Sequence, residues 1–97
     1  MDICDIRSNM GHVNIKGKIV NFNRWMIVID DKSGRTFVRY KRSRRTGEEW
    51  QKMLEQIKIG NLVSVQDCCS VNYSGILQLK LSPKGRITAL QLENMER

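Results

Sequence analysis

Thr46-Gly47-Glu48-Glu49-Trp50-Gln51-Lys52-Met53-Leu54-Glu55-Gln56-Ile57-Lys58-Ile59-Gly60 is the only stretch of this chain with a helical period. Trp50, Met53, Leu54 and Ile57 fall at i, i+3, i+4 and i+7, which is one helix face. That spacing places Trp50 on the buried stripe. Thr46 and Glu49 make a capping box, and Glu48 and Glu49 suit the positive end of a helix. Gly60 is placed to end it. Everything on either side reads as strand, so the position of this helix decides the architecture.

Three strands precede it. Val13, Ile15, Gly17 and Ile19 alternate with Asn14, Lys16 and Lys18, giving a first strand with one wet face. Gly17 in mid-strand predicts a bulge or sharp coil, a device that bends a strand around a small barrel. Asn21 to Arg24 is a turn, and Trp25 to Ile29 is an apolar second strand. Trp25 shares parity with Ile27 and Ile29, so it is read as core. Met26 and Val28 then form an apolar outer surface. Asp30 to Gly34 is a hairpin connection in which Gly34 takes positive φ. In the third strand Thr36, Val38 and Tyr40 point one way, and Arg35, Phe37, Arg39 and Lys41 the other. The second set is a cationic stripe with one ring in it, running on into Arg42, Arg44 and Arg45.

After the helix, a fourth strand runs from Leu62 to about Cys68, and Cys69 to Gly75 reads as a polar loop. Ile76 to Leu81 is a fifth strand, Ser82 to Gly85 a turn, and Arg86 to Ala89 a last short strand. The tail, Leu90 to Arg97, has too few apolar residues to define an element. Three strands, one helix and two strands is the order of the OB-fold. This is an all-β class, a five-stranded Greek-key barrel with one α-helix between strands three and four. The expected organisation is a single domain over residues 1–97. Its core spans about 10–90, with a short N-terminal arm and a C-terminal tail.

The net charge of +7 suits a polyanion, either nucleic acid or an anionic membrane surface. The membrane option fails on the sequence, because no long apolar segment and no basic amphipathic helix occur. Asp2 and Asp5 with no apolar run after them argue against a signal peptide, so the cytoplasm is expected. Cys4, Cys68 and Cys69 are odd in number, which argues against a disulfide framework and for reduced packing thiols. Cys69, at the end of a strand, is the one placed to react. His12 is the only histidine, and no zinc spacing occurs, so no metal and no cofactor are expected. No nucleophile elbow, phosphate loop or paired catalytic carboxylates occur either, so the chain is not expected to be an enzyme.

Four segments carry a family resemblance: Asn9 to Val20, Asp31 to Tyr40, Ile59 to Cys68, and Gly75 to Ile87. They include a D-x-[ST]-G turn at Asp31, Ser33 and Gly34. They also include K-x-G-[DNQ]-x-V at Lys58, Gly60, Asn61 and Val63, and a glycine followed by a Q-L pair at Gly75, Gln78 and Leu79. In these features the chain resembles the archaeal single-stranded-DNA-binding proteins and the OB modules of replication protein A. The resemblance implies a groove on strands two and three, flanked by the loops between strands one and two and between four and five. It implies stacking rings at positions held here by Lys41, Cys69 and Tyr73. Only Tyr73 is aromatic, and Phe37, earlier on the same strand face, is the substitute.

The candidate site follows. Phe37 and Tyr73 stack under bases, and Arg39, Lys41 and Arg42 contact phosphates. Lys16, Lys18, Arg24 and Lys80 stand in second rank, and Arg44 and Arg45 are read as solvated. The expected partner is single-stranded DNA bound with little sequence preference, with RNA second. Further partners would be proteins of the replication, recombination or repair machinery, with the chain a monomer or a subunit. The competing expectations are an adaptor subunit of a larger complex and an RNA-binding OB module that prefers folded RNA.

Overall fold

The computed structural model describes residues 1–40 and 47–90, apart from the side chains of Glu49 and Trp50. Its strands are β1 (Val13–Phe22), β2 (Met26–Asp30), β3 (Arg35–Arg39), β4 (Leu62–Tyr73) and β5 (Ile76–Ala89). They close into a barrel in the order β1-β2-β3-β5-β4. The helix α1 (Gly47–Glu55) lies between β3 and β4 in the chain. This is the OB-fold. Four seams are antiparallel, and β3 runs parallel to β5. An odd number of strands cannot alternate direction all the way round, so one parallel seam is forced.

The alternation of the first three strands holds. Val13, Ile15, Gly17 and Ile19 face inward from β1, Ile27 and Ile29 from β2, and Thr36 and Val38 from β3, with Tyr40 just beyond. Each fully buried aliphatic side chain contributes about 1.5–3 kcal/mol relative to exposure. Gly17 sits where β1 leaves β4 and takes up β2. A Cβ there would lie 2.5 Å from Ile29 Cγ2 and 2.8 Å from the Asp30 carbonyl oxygen. The glycine permits this close crossing, while the register irregularity on the β2 side falls later, between Ile19 and Asn21.

The N-terminal residues pack onto the barrel and bury Ile3 and Ile6. Two polar clasps hold them. Asp31 Oδ2 accepts the Ile3 N–H at 2.8 Å, and Ser33 Oγ accepts the Cys4 N–H at 3.1 Å. Ser70 on β4 is buried, accepts the Met10 N–H at 2.7 Å and donates its hydroxyl to the Arg7 carbonyl.

Several expectations are corrected. Trp25 is not core. It stands in the β1–β2 turn, 60% exposed, because Asn23 Oδ1 accepts the N–H of both Trp25 and Met26 and holds the turn open past Trp25. In the β2–β3 turn the positive φ belongs to Lys32, at 76°, and not to Gly34. The helix ends at Glu55, not Gly60. Gln56 and Ile57 close it with N–H bonds three residues back, and Gly60, with φ 94°, turns the chain into β4. Met53 and Ile57 are buried as the helical spacing requires.

The supposed loop Cys69–Gly75 is mostly strand. β4 continues to Tyr73 and pairs with β5 up to Tyr73–Ile76, so the connection is only Ser74-Gly75, both at positive φ. That is the two-residue hairpin whose twist matches its strands. The supposed turn Ser82–Gly85 lies inside a continuous β5. The register there skips from Cys68–Leu81 to Gln66–Arg86, which is a bulge. The cap at Thr46, the burial of Trp50, the cations Lys41, Arg42, Arg44 and Arg45, and the tail from Gln91 lie outside the described residues.

The three cysteines are free. Cys68 is buried, and burial, with the neighbouring Cys69 and Asp67, pushes its thiol up to about 12. Cys69 is exposed, but it lies within β4 opposite Lys80 rather than at a strand end. Among the described residues no helix is long and apolar enough to cross a membrane.

Candidate nucleic-acid interface

Barrel register turns the outward residues into rows that cross the strands. One row is Lys18, Asp30 and Arg35; the next holds Asn21, Val28 and Phe37; the next Met26, Arg39, Lys80 and Cys69. The middle of this face is apolar, because Val28 and Met26 are half-buried with Phe37 standing beside them, 37% exposed. Cations border it on β3 and β5.

The β4–β5 ribbon supplies the second ring. Tyr73, at its tip, is 48% exposed, and the Arg39 guanidinium lies 5.3 Å from the centre of its ring. A guanidinium over an aromatic face is attracted by the ring quadrupole. Arg39 therefore ties the ribbon tip to β3, with Lys80 next to Arg39 across the parallel seam. The tip keeps its shape through Asn72 Oδ1, which accepts the Gly75 N–H at 2.9 Å.

Four candidates thus meet on one face: Phe37, Arg39, Tyr73 and Lys80. Arg24, in the β1–β2 turn, has its guanidinium 5.8 Å from the centre of the Trp25 ring and lines a separate cleft with Phe22, Asn23, Tyr40, Leu54 and Ile57. Lys16 and Lys18 are exposed on β1 but line a different cleft, with Asp30, Asp31, Lys32 and Leu62. They are not gathered with the rings. Lys41 and Arg42 lie outside the described residues.

The sequence reading missed Trp25 as an accessible ring. The available signal was the pair of asparagines around Phe22, since an Asn side chain that caps its own turn extends the turn past Arg24. Arg35, read as part of the cationic stripe but not as a site residue, donates from Nε to Asp30 Oδ2 at 2.8 Å. That bond, helped by the Lys32 N–H, holds the Asp30 carboxyl below its usual value.

His12 has a partner that its place in the sequence does not show. Its Nδ1 lies 2.9 Å from Asp67 Oδ1, and the Ser82 hydroxyl donates to Asp67 Oδ2 at 2.8 Å. Ser82 first and His12 second lower the Asp67 carboxyl below its usual value. In this trio the carboxylate sits in the middle, whereas an activated hydroxyl needs the imidazole beside it. Asp2, Cys4 and Asp5 bring ligand atoms within 4.8 Å of one another at the exposed N-terminal turn. All three are solvated, and no further feature marks them as a metal site.

No protein-family model matches the sequence, and no curated protein matches it. Solved structures do share the fold. The OB domain of a Thermoplasma acidophilum protein superposes with a TM-score of 0.70 at 16% identity, covering 94% of this chain and 86% of that one. The replication factor A related protein from Methanobacterium thermoautotrophicum gives 0.69 at 14% identity, covering 94% and 90%. At such identities the likeness establishes the OB-fold.

Proposed function

We propose that this chain binds single-stranded nucleic acid, DNA before RNA, across the outer face of β2 and β3 and under the β4–β5 ribbon. The observation that carries the reading is the exposure of rings beside cations. Of the described aromatic side chains only Tyr40 is buried, and Phe22, Trp25, Phe37 and Tyr73 are exposed. A folded domain normally hides its rings. Here Phe37 and Tyr73 share a face with Arg39 and Lys80, the combination that stacks bases while neutralising phosphates.

The mechanism is a backbone-tracking groove with stacking platforms and little sequence preference. Phe37 and Tyr73 stack, and Arg39, Lys80 and, from the sequence, Lys41 and Arg42 pair with phosphates. Lys16 and Lys18, on the far side of Asp30, contribute only to the long-range field. The fold relationship to a replication factor A related protein favours a role in replication, recombination or repair, with proteins of that machinery as further partners. The chain acts as a binding module and not as an enzyme. Its free thiols suit a reducing compartment, the cytoplasm.

The test is a titration of intrinsic fluorescence with an oligo-dT of about 15 nucleotides at several salt concentrations, against duplex and RNA controls. Binding with quenching is expected, with affinity falling steeply as salt rises. Arg39→Ala with Lys41→Ala is expected to weaken binding and to lower the salt slope by about one for each phosphate left unpaired. Unchanged binding in that double variant would refute the groove. Absence of binding at low salt would refute the function and turn attention to the adaptor reading.

A further inference from the structure

Beside the Arg39–Tyr73 stack, β1, β2 and β3 enclose a cleft of about 330 Å³ lined by Val20, Asn21, Val28, Arg35, Thr36 and Phe37. That volume is at the low end for ligand sites, so it suits one flat group rather than several. Val20 and Val28 make an apolar floor. Phe37, directly across the ladder from Val28, offers an exposed ring. Thr36 turns its side chain into the barrel. The polar side chains of the cleft are therefore Asn21 and Arg35.

Both are oriented by neighbours, and donors make up most of what they offer. The Phe22 N–H donates to Asn21 Oδ1 at 2.8 Å. Only the amide oxygen can accept that proton, so the bond fixes the amide and leaves Nδ2 to donate. Arg35 Nε is held by Asp30 Oδ2 at 2.8 Å, and its two Nη groups have no partner among the described residues. Asp30 also accepts the Lys32 N–H at 2.8 Å, which draws its other oxygen toward the β2–β3 turn, and it does not line the cleft.

A rim of donors selects an edge of acceptors. Guanine presents O6 and N7 side by side with no donor between them, the edge that an arginine fork fits best. Adenine sets its N6 donor beside N7, and thymine has an N–H between its two carbonyls; unpaired cytosine, with O2 beside N3, is the one other base with adjacent acceptors, but it lacks the O6–N7 spacing that the fork fits best. A donor set against a donor leaves both unpaired, which costs affinity.

We propose that this cleft is a single-base pocket that prefers guanine, with Phe37 stacking on the base and Arg35 and Asn21 reading its acceptor edge. The inference rests on the nucleic-acid reading above. It adds one position of base preference to a groove otherwise indifferent to sequence.

The test is a competition titration with an oligo-dT of about 12 nucleotides in which one central base is changed to dG, dA or dC. The dG oligomer is expected to bind about five- to tenfold more tightly than the dT and dA oligomers, with dC between them. Arg35→Met should bring the dG-to-dT ratio close to one. Asn21→Asp keeps the Phe22 bond but replaces the donor with an acceptor, so it should reduce the preference for dG read through O6 and N7. Both residues are exposed, and a melting curve checks that each variant is folded. Equal binding of all four oligomers, or a guanine preference that survives Arg35→Met, would overturn the pocket and leave the groove standing. Failure of every oligomer to bind would overturn both.

Discussion

Two turns of this barrel are spelled almost alike. Asp31-Lys32-Ser33-Gly34 joins β2 to β3, and Asn72-Tyr73-Ser74-Gly75 joins β4 to β5. In each, the first side chain accepts the N–H of the glycine three residues on, Asp31 at 3.1 Å and Asn72 at 2.9 Å. Beyond that shared bond they diverge. Asp31 also accepts from the Ser33 N–H, the Ser33 hydroxyl and the Ile3 N–H, so it closes a turn and fastens the N-terminal segment at once. Asn72 makes the one bond and leaves the tip in solvent, with Tyr73 turned to Arg39. One turn is part of the scaffold, and the other presents a ring. Local sequence sets a turn; what the turn faces sets its task.

The largest effect should come from breaking the scaffold turn. Asp31→Ala removes the acceptor of four hydrogen bonds and frees the segment that buries Ile3 and Ile6. A loss of about 2 kcal/mol is expected, from the net worth of the missing hydrogen bonds and of a cap-like side chain. In a domain of this size that lowers the melting temperature by roughly 10 °C, read by circular dichroism. A melting temperature within a degree or two of the parent would mean that the N-terminal segment is held by its isoleucines alone.

Tyr73→Ala addresses the presenting turn, and the comparison predicts the opposite pattern. The ring is exposed, so stability should change by less than about 0.5 kcal/mol. Oligo-dT affinity should fall about tenfold, the lower part of the range for one stacked base. A variant that binds normally but melts early would make Tyr73 a packing residue of the ribbon. Asn72→Ala should have a smaller effect on binding, a partial loss of affinity as the tip loosens, and a stability loss of about 0.5–1 kcal/mol for one turn bond.

The two turns also explain what could be read in advance. The first three strands were legible because each has one face in the barrel and one in water, and the side chains alternate accordingly. The helix was legible from its period and its place in the order. The Asp31 turn was legible because Asp-Lys-Ser-Gly sits between two apolar runs. The Asn72 turn was misread as part of a longer loop. Past the barrel wall the ribbon is exposed on both sides, so nothing forces apolar alternation on Asn72 and Tyr73. Ser70 is polar because it is buried under the backbone of Arg7 to Met10, a contact between residues far apart in sequence. On the candidate face, strand parity placed Phe37, Arg39 and Lys80 outward, whereas Tyr73 entered through the family resemblance and not through parity. Trp25 was misplaced, because parity ceases to bind where the ladder ends, and Arg35 was placed on the outer stripe without the bond to Asp30 that orients it.

Acid should separate the two turns by chemistry alone. Burial raises the Asp31 carboxyl, but the bonds from the Ser33 hydroxyl and from the N–H groups of Ile3, Ser33 and Gly34 outweigh it, so its folded value lies below the ordinary 3.8. A carboxyl depressed in the folded state adds stability that is whole above its unfolded value and disappears as pH falls through the folded one. Asn72 has nothing to titrate. Hydrogen exchange of individual amides, followed as pH is lowered from about 5, should show the Ile3 amide losing protection as Asp31 takes up its proton, before the barrel amides do. The Gly75 amide, held by Asn72, should keep its protection until the barrel itself opens. Asp30 and Asp67 are depressed too, so global stability falls in the same direction, and the core amide of Val65 serves as the reference for that loss. If Ile3 and Val65 lose protection together, the N-terminal segment belongs to the same cooperative unit as the barrel. The Asp31 turn would then be a joint inside that unit and not a separable clasp.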